Sequence, residues 1–325
     1  MTKLAAGVVA VVLAVLAAGC GKGDPADAAP AGQAPPGLPI AAAEAILAAF
    51  DQADSAASSA TDPDGLKAQE VPPSLDISLA AANRARFAKR TPPAFRHTDP
   101  GFAIPSGDAS CFLTVASVQV TGSQLTLADV SQFVRQAGGG WKVSHNVGLS
   151  QAAVAQARTL AGQPALATAA ALDEPRRQAL ATEVFNRSIG AESANLALLA
   201  SSDLLDRQFA AGWEVYQQQL AGYQMSAKRE LSGAEWSQCA ARTDAGVFTF
   251  LTLRAADTVA GTGGRSATLA PPSPDLIGLG RTAPVTAPSI TISRVQVFLL
   301  FVPSTAGQPA TLLGLGDAPT AINTG

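Results

Sequence analysis

CFLTVASVQVTGSQLTLADVSQFVRQAGGGWKVSHNV, residues 111–147, decides the fold class. Cys111–Val120, Leu125–Arg135 and Trp141–Val147 are rich in β-branched and aromatic residues and read as strands. Gly122-Ser123 joins the first pair and Gly138-Gly139-Gly140 the second, both good hairpin signals. Upstream the period changes. Ile40–Gln52 sets Ala43, Ile46, Leu47 and Phe50 on one helical face. Asp62-Pro63-Asp64-Gly65 reads as a turn. Leu75–Lys89 reads as a second helix, with Ser74 placed to cap it and Thr91-Pro92-Pro93 to end it. Phe95 opens the strand region.

The same order restarts downstream. Ser150–Ala161 reads as a connecting helix that Gly162-Gln163-Pro164 breaks. Arg176–Ile189 and Asp203–Leu220 read as helices, the second striped by Leu205, Phe209, Trp213, Tyr216 and Leu220. Tyr223–Leu231, Val247–Ala256, Ser289–Val302 and, more weakly, Thr311–Leu315 are strand-like. Blocks of helix followed by blocks of strand predict an α+β fold. The expected boundaries are 40–149 for a first domain, 150–174 for a connecting helix and linker, and 175–318 for a second domain. Within the latter, 257–288 is rich in Gly and Pro and is expected to be a disordered or loose surface flap.

Residues 1–19 read as a signal peptide. Lys3 supplies the positive start, and Leu4–Ala18 is apolar apart from Gly7. That run is shorter than the roughly 20 residues a spanning helix needs, and no other run reaches ~18, so no transmembrane helix is expected. Leu16-Ala17-Ala18-Gly19-Cys20 resembles the lipobox of bacterial lipoproteins, departing from it where Ala17 replaces the usual leucine. The resemblance implies cleavage before Cys20 and a diacylglycerol on its sulfur. Residues 20–39, dominated by Gly, Pro, Ala and Asp, read as a disordered tether. The expected place is the extracytoplasmic face of the cell membrane, with the membrane as a partner through the lipid.

Helices followed by three or four long antiparallel strands resemble the NTF2-like or cystatin-like architecture, in which a curved sheet wraps a long helix. The likeness rests on element order and covers most of residues 40–316. In tandem behind a lipobox, it resembles an uncharacterised actinobacterial lipoprotein family, which implies a fold and no activity.

Net charge of -3 leaves no basic excess, so no nucleic-acid partner is expected. Cys111 and Cys239 fall one in each half. Outside the cytoplasm they could pair and lock the halves together, a gain of about 4–5 kcal/mol in the chain-entropy model. Two buried thiols are the other reading, and both stand open. No second Cys or His lies at ligand spacing, so no metal is expected.

The only histidines are His97 and His145. Enzymes on the NTF2-like scaffold often use a His–Asp pair inside the cone, so the resemblance singles out His145, framed by Lys142, Ser144 and Asn146, with Asp129 or Asp99. The plainer reading of His145 is a surface or hydrogen-bonded strand histidine. His97, in Arg96-His97-Thr98-Asp99-Pro100, is expected in a solvated turn. Trp213, Tyr216, Tyr223 and Trp236 either line a pocket or belong to the core. Gly278-Leu279-Gly280-Arg281-Thr282-Ala283 has the spacing of a dinucleotide fingerprint but lacks the preceding strand that motif needs, and is set aside.

The expectation is a non-catalytic binding or interaction module at the cell envelope, taking an envelope protein or a small apolar ligand. No cofactor and no catalytic residue are expected. The alternatives are an isomerase or dehydratase on an NTF2-like cone, and a structural assembly factor. An apolar cavity favours binding; a buried His–Asp pair favours catalysis.

Overall fold

The computed structural model describes residues 37–106, 109–124, 126–167, 171–191 and 197–325. Cys20, the signal peptide and most of the tether lie outside the described residues. Helix α1 (Ile40–Ala60) runs past Gln52 because the apolar stripe continues: Ala43, Leu47, Phe50, Asp54 and Ala57 are buried at four-three spacing. Thr61 ends it in the left-handed region, φ 51. The expected turn at Asp62 is instead a cap. Its side chain accepts from the Asp64 amide at 3.1 Å, and Pro63 opens the short helix α2 (Pro63–Gln69). Helix α3 (Ser74–Phe87) follows, with Ser74 inside it rather than capping it.

Strands β1 (Phe95–Ala103), β2 (Cys111–Val120), β3 (Thr126–Arg135) and β4 (Trp141–Gly148) form an antiparallel meander in that order. Two bulges steer its side chains. One, at Asp99-Pro100 in β1, sets Asp99 at φ 51. The other inserts Ser144 into β4, between the pairs Gln132–His145 and Phe133–Val143. It flips the alternation, so Val143 packs toward α1 while His145 and Val147 face away.

After α4 (Val154–Arg158) and β5 (Ala165–Ala167) come α5 (Glu174–Ser188), a π-helical stretch (Asp203–Ala210) and α6 (Ala211–Gly222). Strands β6 (Met225–Arg242), β7 (Gly246–Gly261), β10 (Ser289–Pro303) and β11 (Thr311–Thr324) make a second antiparallel sheet, ordered β11-β10-β7-β6-β5. The segment expected to be a loose flap is built. Between β7 and β10 lie β8 (Ala267–Leu269), α7 (Pro274–Gly278) and β9 (Val285–Ala287). Ala267, Leu269, Leu276 and Ala287 are buried with Leu220, Val259, Ile290 and Ile292.

The two sheets share one core. Leu113, Val115, Val130 and Val147 of the first meet Phe248, Phe250, Val297 and Leu299 of the second. The Sγ atoms of Cys111 and Cys239 are bonded across this core, with Cα atoms 6.2 Å apart. The outer face of the first sheet is covered by α1, where Phe112 and Phe133 stack at 4.7 Å beneath Leu47 and Phe50. The outer face of the second is covered by α5 and the π-helical stretch through Leu180, Val184 and Leu205. The result is an α+β fold of four layers, helix, sheet, sheet, helix.

Candidate functional site

The polar groups gather on the α1 face of the first sheet. His97 pairs with Val118 across β1 and β2, and Asp129 and Asn146 point to the same side from β3 and β4. Asp51 of α1 closes the cluster. Its carboxyl accepts from the His97 amide at 2.7 Å and also meets Nδ1 of the ring. Nε2 of His97 lies 2.9 Å from Asp129 Oδ2, which also accepts from Asn146 Nδ2 at 2.8 Å. The His97 side chain is 1% exposed, so the expected solvated turn is corrected. The Asp99-Pro100 bulge follows His97, and the histidine itself sits in regular ladder, facing inward.

Burial disfavours the His97 imidazolium. The hydrogen bonds to Asp129 and Asp51, with their charges, outweigh burial and push its pKa up to about 10. Both ring nitrogens are engaged, so the ring is a cationic hub between two carboxyl groups.

Beside it lies a cavity of about 300 Å³. Asp54 and Ser58 reach it from α1, Ser78 from α3, and Glu70 from the joint between α2 and α3. Glu70 is held by its backbone, which bridges to Val143 of β4, while the Val71 amide donates to the Val143 carbonyl at 2.9 Å. Ser78 and Ser74 donate to Glu70 Oε1 at 2.9 and 3.4 Å. Burial, then the neighbouring Asp54, push the Glu70 carboxyl up to about 8. Burial likewise raises Asp54 to about 6, against the pull of His97. Asp54 Oδ1, Glu70 Oε2 and Asp129 Oδ1 are buried without a hydrogen-bond partner in the protein.

His145 does not join this cluster. It pairs with Gln132, so it faces the opposite side of the sheet from Asp129. It stacks on Phe250 at 5.0 Å and meets Thr252 Oγ1 at 3.2 Å and Ser144 Oγ at 3.0 Å. Burial pushes its pKa down to about 3. Asp99 lies on the exposed side, against Arg158. Nor do the four aromatic residues share a pocket. Trp213 and Tyr216 neighbour each other at 5.7 Å on α6, Trp236 packs in another cluster, and Tyr223 is exposed.

A second polar cluster pins the built insertion. Arg229 binds Asp257 at 2.6 and 2.7 Å beneath Trp213, and Arg294 joins Asp275 of α7 to Asp317 of β11. All these charges have partners, so the cluster reads as a structural clamp. Among the described residues no group of His, Cys, Asp and Glu is fit to hold a metal ion, and no helix is long and apolar enough to cross a membrane.

Missed by sequence reasoning were His97, Asp51, Asp54 and Glu70. The one signal available was Asp54, a carboxylate standing on the apolar stripe of α1. Comparison with known protein families, curated proteins and solved structures finds no match to this chain.

Proposed function

We propose that this chain is an exported lipoprotein, anchored through Cys20, whose folded body is a non-catalytic binding module for a small polar ligand. The observation that carries the binding reading is the cavity on the α1 face, three of whose lining side chains each hold a buried oxygen with no partner. Leaving such a group without a partner costs about 1–3 kcal/mol, more if charged, which a ligand recovers once these carboxyl groups turn toward it. The carboxyl groups set among the apolar walls of Phe50, Phe95, Val118 and Leu127 move the ligand class away from the purely apolar molecule expected from sequence. The buried pairing of His97 with Asp129 and Asp51 is the feature that favours catalysis; against it, both ring nitrogens are hydrogen-bonded to carboxyl groups and neither is free to take a proton from a ligand. The bonded Cys111 and Cys239 fit an oxidising compartment outside the cytoplasm. We read each half, helices followed by antiparallel strands, as an NTF2-like or cystatin-like unit, the two fused across one core.

Two measurements test the reading. Intact mass of protein taken from membranes of a lipidating host should show loss of residues 1–19 and an added lipid; an unmodified Cys20 refutes the anchor. A thermal-shift screen of small polar molecules should give stabilising hits that vanish in Ser58→Leu, which fills the cavity. No hit sensitive to that change refutes the binding module. A second reading, a proton-transferring isomerase or dehydratase, rests on Asp54 and Glu70, held at about 6 and about 8 as a base and an acid. Turnover of a screened ligand, lost in Asp54→Asn, would favour it.

A further inference from the structure

The lining of the cavity is unbalanced between donors and acceptors. Its side-chain donors are Ser58, Ser78, His97 and Asn146. Each is already directed at a neighbour. Ser78 donates to Glu70, Ser58 bonds Asp54, and His97 is held by Asp51 and Asp129. Asn146 donates to Asp129 and to Ser131 Oγ at 2.6 Å. The groups left without partners are all carboxyl oxygens: Asp54 Oδ1, Glu70 Oε2 and Asp129 Oδ1. These three residues are 5%, 4% and 7% exposed. A ligand that completes these oxygens as carboxylates must bring N–H or O–H donors, and the side-chain donors left for an acceptor of its own are the protons of Glu70 and Asp54, which are shed above about pH 8 and about pH 6.

Charge narrows the class further. Four acidic side chains, Asp51, Asp54, Glu70 and Asp129, surround one histidine. The site is short of positive charge, and an anion or zwitterion would add a carboxylate to it. A primary ammonium carries three donors, one charge and no acceptor. The remaining walls, Phe50, Phe95, Val118 and Leu127, suit a short aliphatic chain.

We propose that the cavity takes a small aliphatic amine in its protonated form, whose ammonium donates to Asp54, Glu70 and Asp129. This rests on the binding reading above and names its ligand class. The proton balance follows. In the empty site Glu70 keeps a proton up to about pH 8 and Asp54 up to about pH 6. Neighbouring His97 and the arriving ammonium both favour the carboxylates, so the amine enters as carboxyl protons leave for solvent. Affinity therefore rises with pH until the amine itself loses its proton.

The test is isothermal titration calorimetry of the full chain in detergent with n-butylamine, 1-butanol and butanoate, at pH 5.5, 7 and 8.5. Buffers of differing ionisation enthalpy read the protons released. The amine should bind roughly tenfold or more tighter than the alcohol or the carboxylate, the factor set by a hydrogen bond to a charged group. It should tighten with pH and release protons at pH 7. Glu70→Gln should weaken it by roughly tenfold and flatten the pH rise, while a thermal melt confirms folding. Alcohol or butanoate binding as tightly as the amine overturns the ligand class and leaves the binding module standing. Amine binding untouched by both Glu70→Gln and Ser58→Leu overturns the site. No binding by any of the three overturns the amine, and the polar-molecule screen with Ser58→Leu then judges the module separately.

Discussion

Replacing Glu70 by glutamine should leave stability nearly unchanged at low pH and raise it progressively as the pH increases. Glu70 is 4% exposed, and its carboxyl is displaced from 4.5 to about 8, first by burial and second by Asp54. Unfolded, the group ionises near 4.5; folded, it holds its proton to about 8. Its contribution is whole below pH 4.5 and is lost as the pH climbs through 8, because the unfolded chain sheds the proton first. At about 1.4 kcal/mol per pKa unit, the full loss is on the order of 5 kcal/mol as an upper bound. Glutamine keeps the shape and an acceptor for Ser78 and cannot ionise. Urea unfolding of both proteins at pH 4, 6, 8 and 9 measures the gap, with all other titrations common to both. The gap should be near zero at pH 4 and reach several kcal/mol in favour of Glu70→Gln by pH 9. A gap that does not change with pH would refute the buried, ionisable Glu70, and one that widens toward low pH would refute the direction of its shift.

Nitrogen-detected NMR of the imidazole rings should find His97 doubly protonated at pH 8 and His145 still neutral at pH 4, following their displacement to about 10 and about 3; the reverse assignment would undo the site description. Cys111→Ala with Cys239→Ala opens a loop of sequence separation 128 and should cost about 5 kcal/mol in guanidinium unfolding. A loss under about 1 kcal/mol, or two reactive thiols in the unreduced unfolded chain, would contradict the bridge. Arg229→Ala takes both hydrogen bonds from the fully buried carboxylate of Asp257, leaving it only Arg294 Nε at 3.8 Å, and should cost about 3 kcal/mol; a neutral melt would show the clamp to be idle.

The sequence made the local structure legible where turn chemistry and period agreed. The hairpins at Gly122 and Gly139, both at positive φ, fall where the glycines stood. The full length of β11 was hidden because Gly314, Gly316 and Pro319 break its strand pattern. Gly314 is needed where a side chain would strike the Gly148 carbonyl, and Pro319 is tolerated on a strand at the sheet edge. The flap was misjudged because its apolar residues come in runs of no more than two, as in Leu269-Ala270, Leu276-Ile277 and Ala287, among glycines, prolines and polar residues. They find their partners in α6, β6, β7, β10 and β11, distant in sequence. The site was the least legible part. The pairing of His145 with Asp129 that the resemblance singled out fails on register, which the Ser144 bulge and the Gln132 pairing decide, and His145 is the hydrogen-bonded strand histidine of the plainer reading. The true partners, Asp51, His97 and Asp129, meet only when α1 lies on the sheet, and nothing local announces that.

The shared core sets a schedule for folding. A chain that emerges N-terminus first can complete β1–β4 early, yet Leu113, Val115, Val130 and Val147 have no cover until Phe248, Phe250, Val297 and Leu299 arrive. Over that interval the sheet shows a bare apolar face, the kind of surface that aggregates or recruits chaperones. Cys111 must also wait for Cys239, so premature oxidation could trap it with a cysteine of another chain. Early release of the nascent chain, more than weakness of the finished fold, is the hazard this architecture carries.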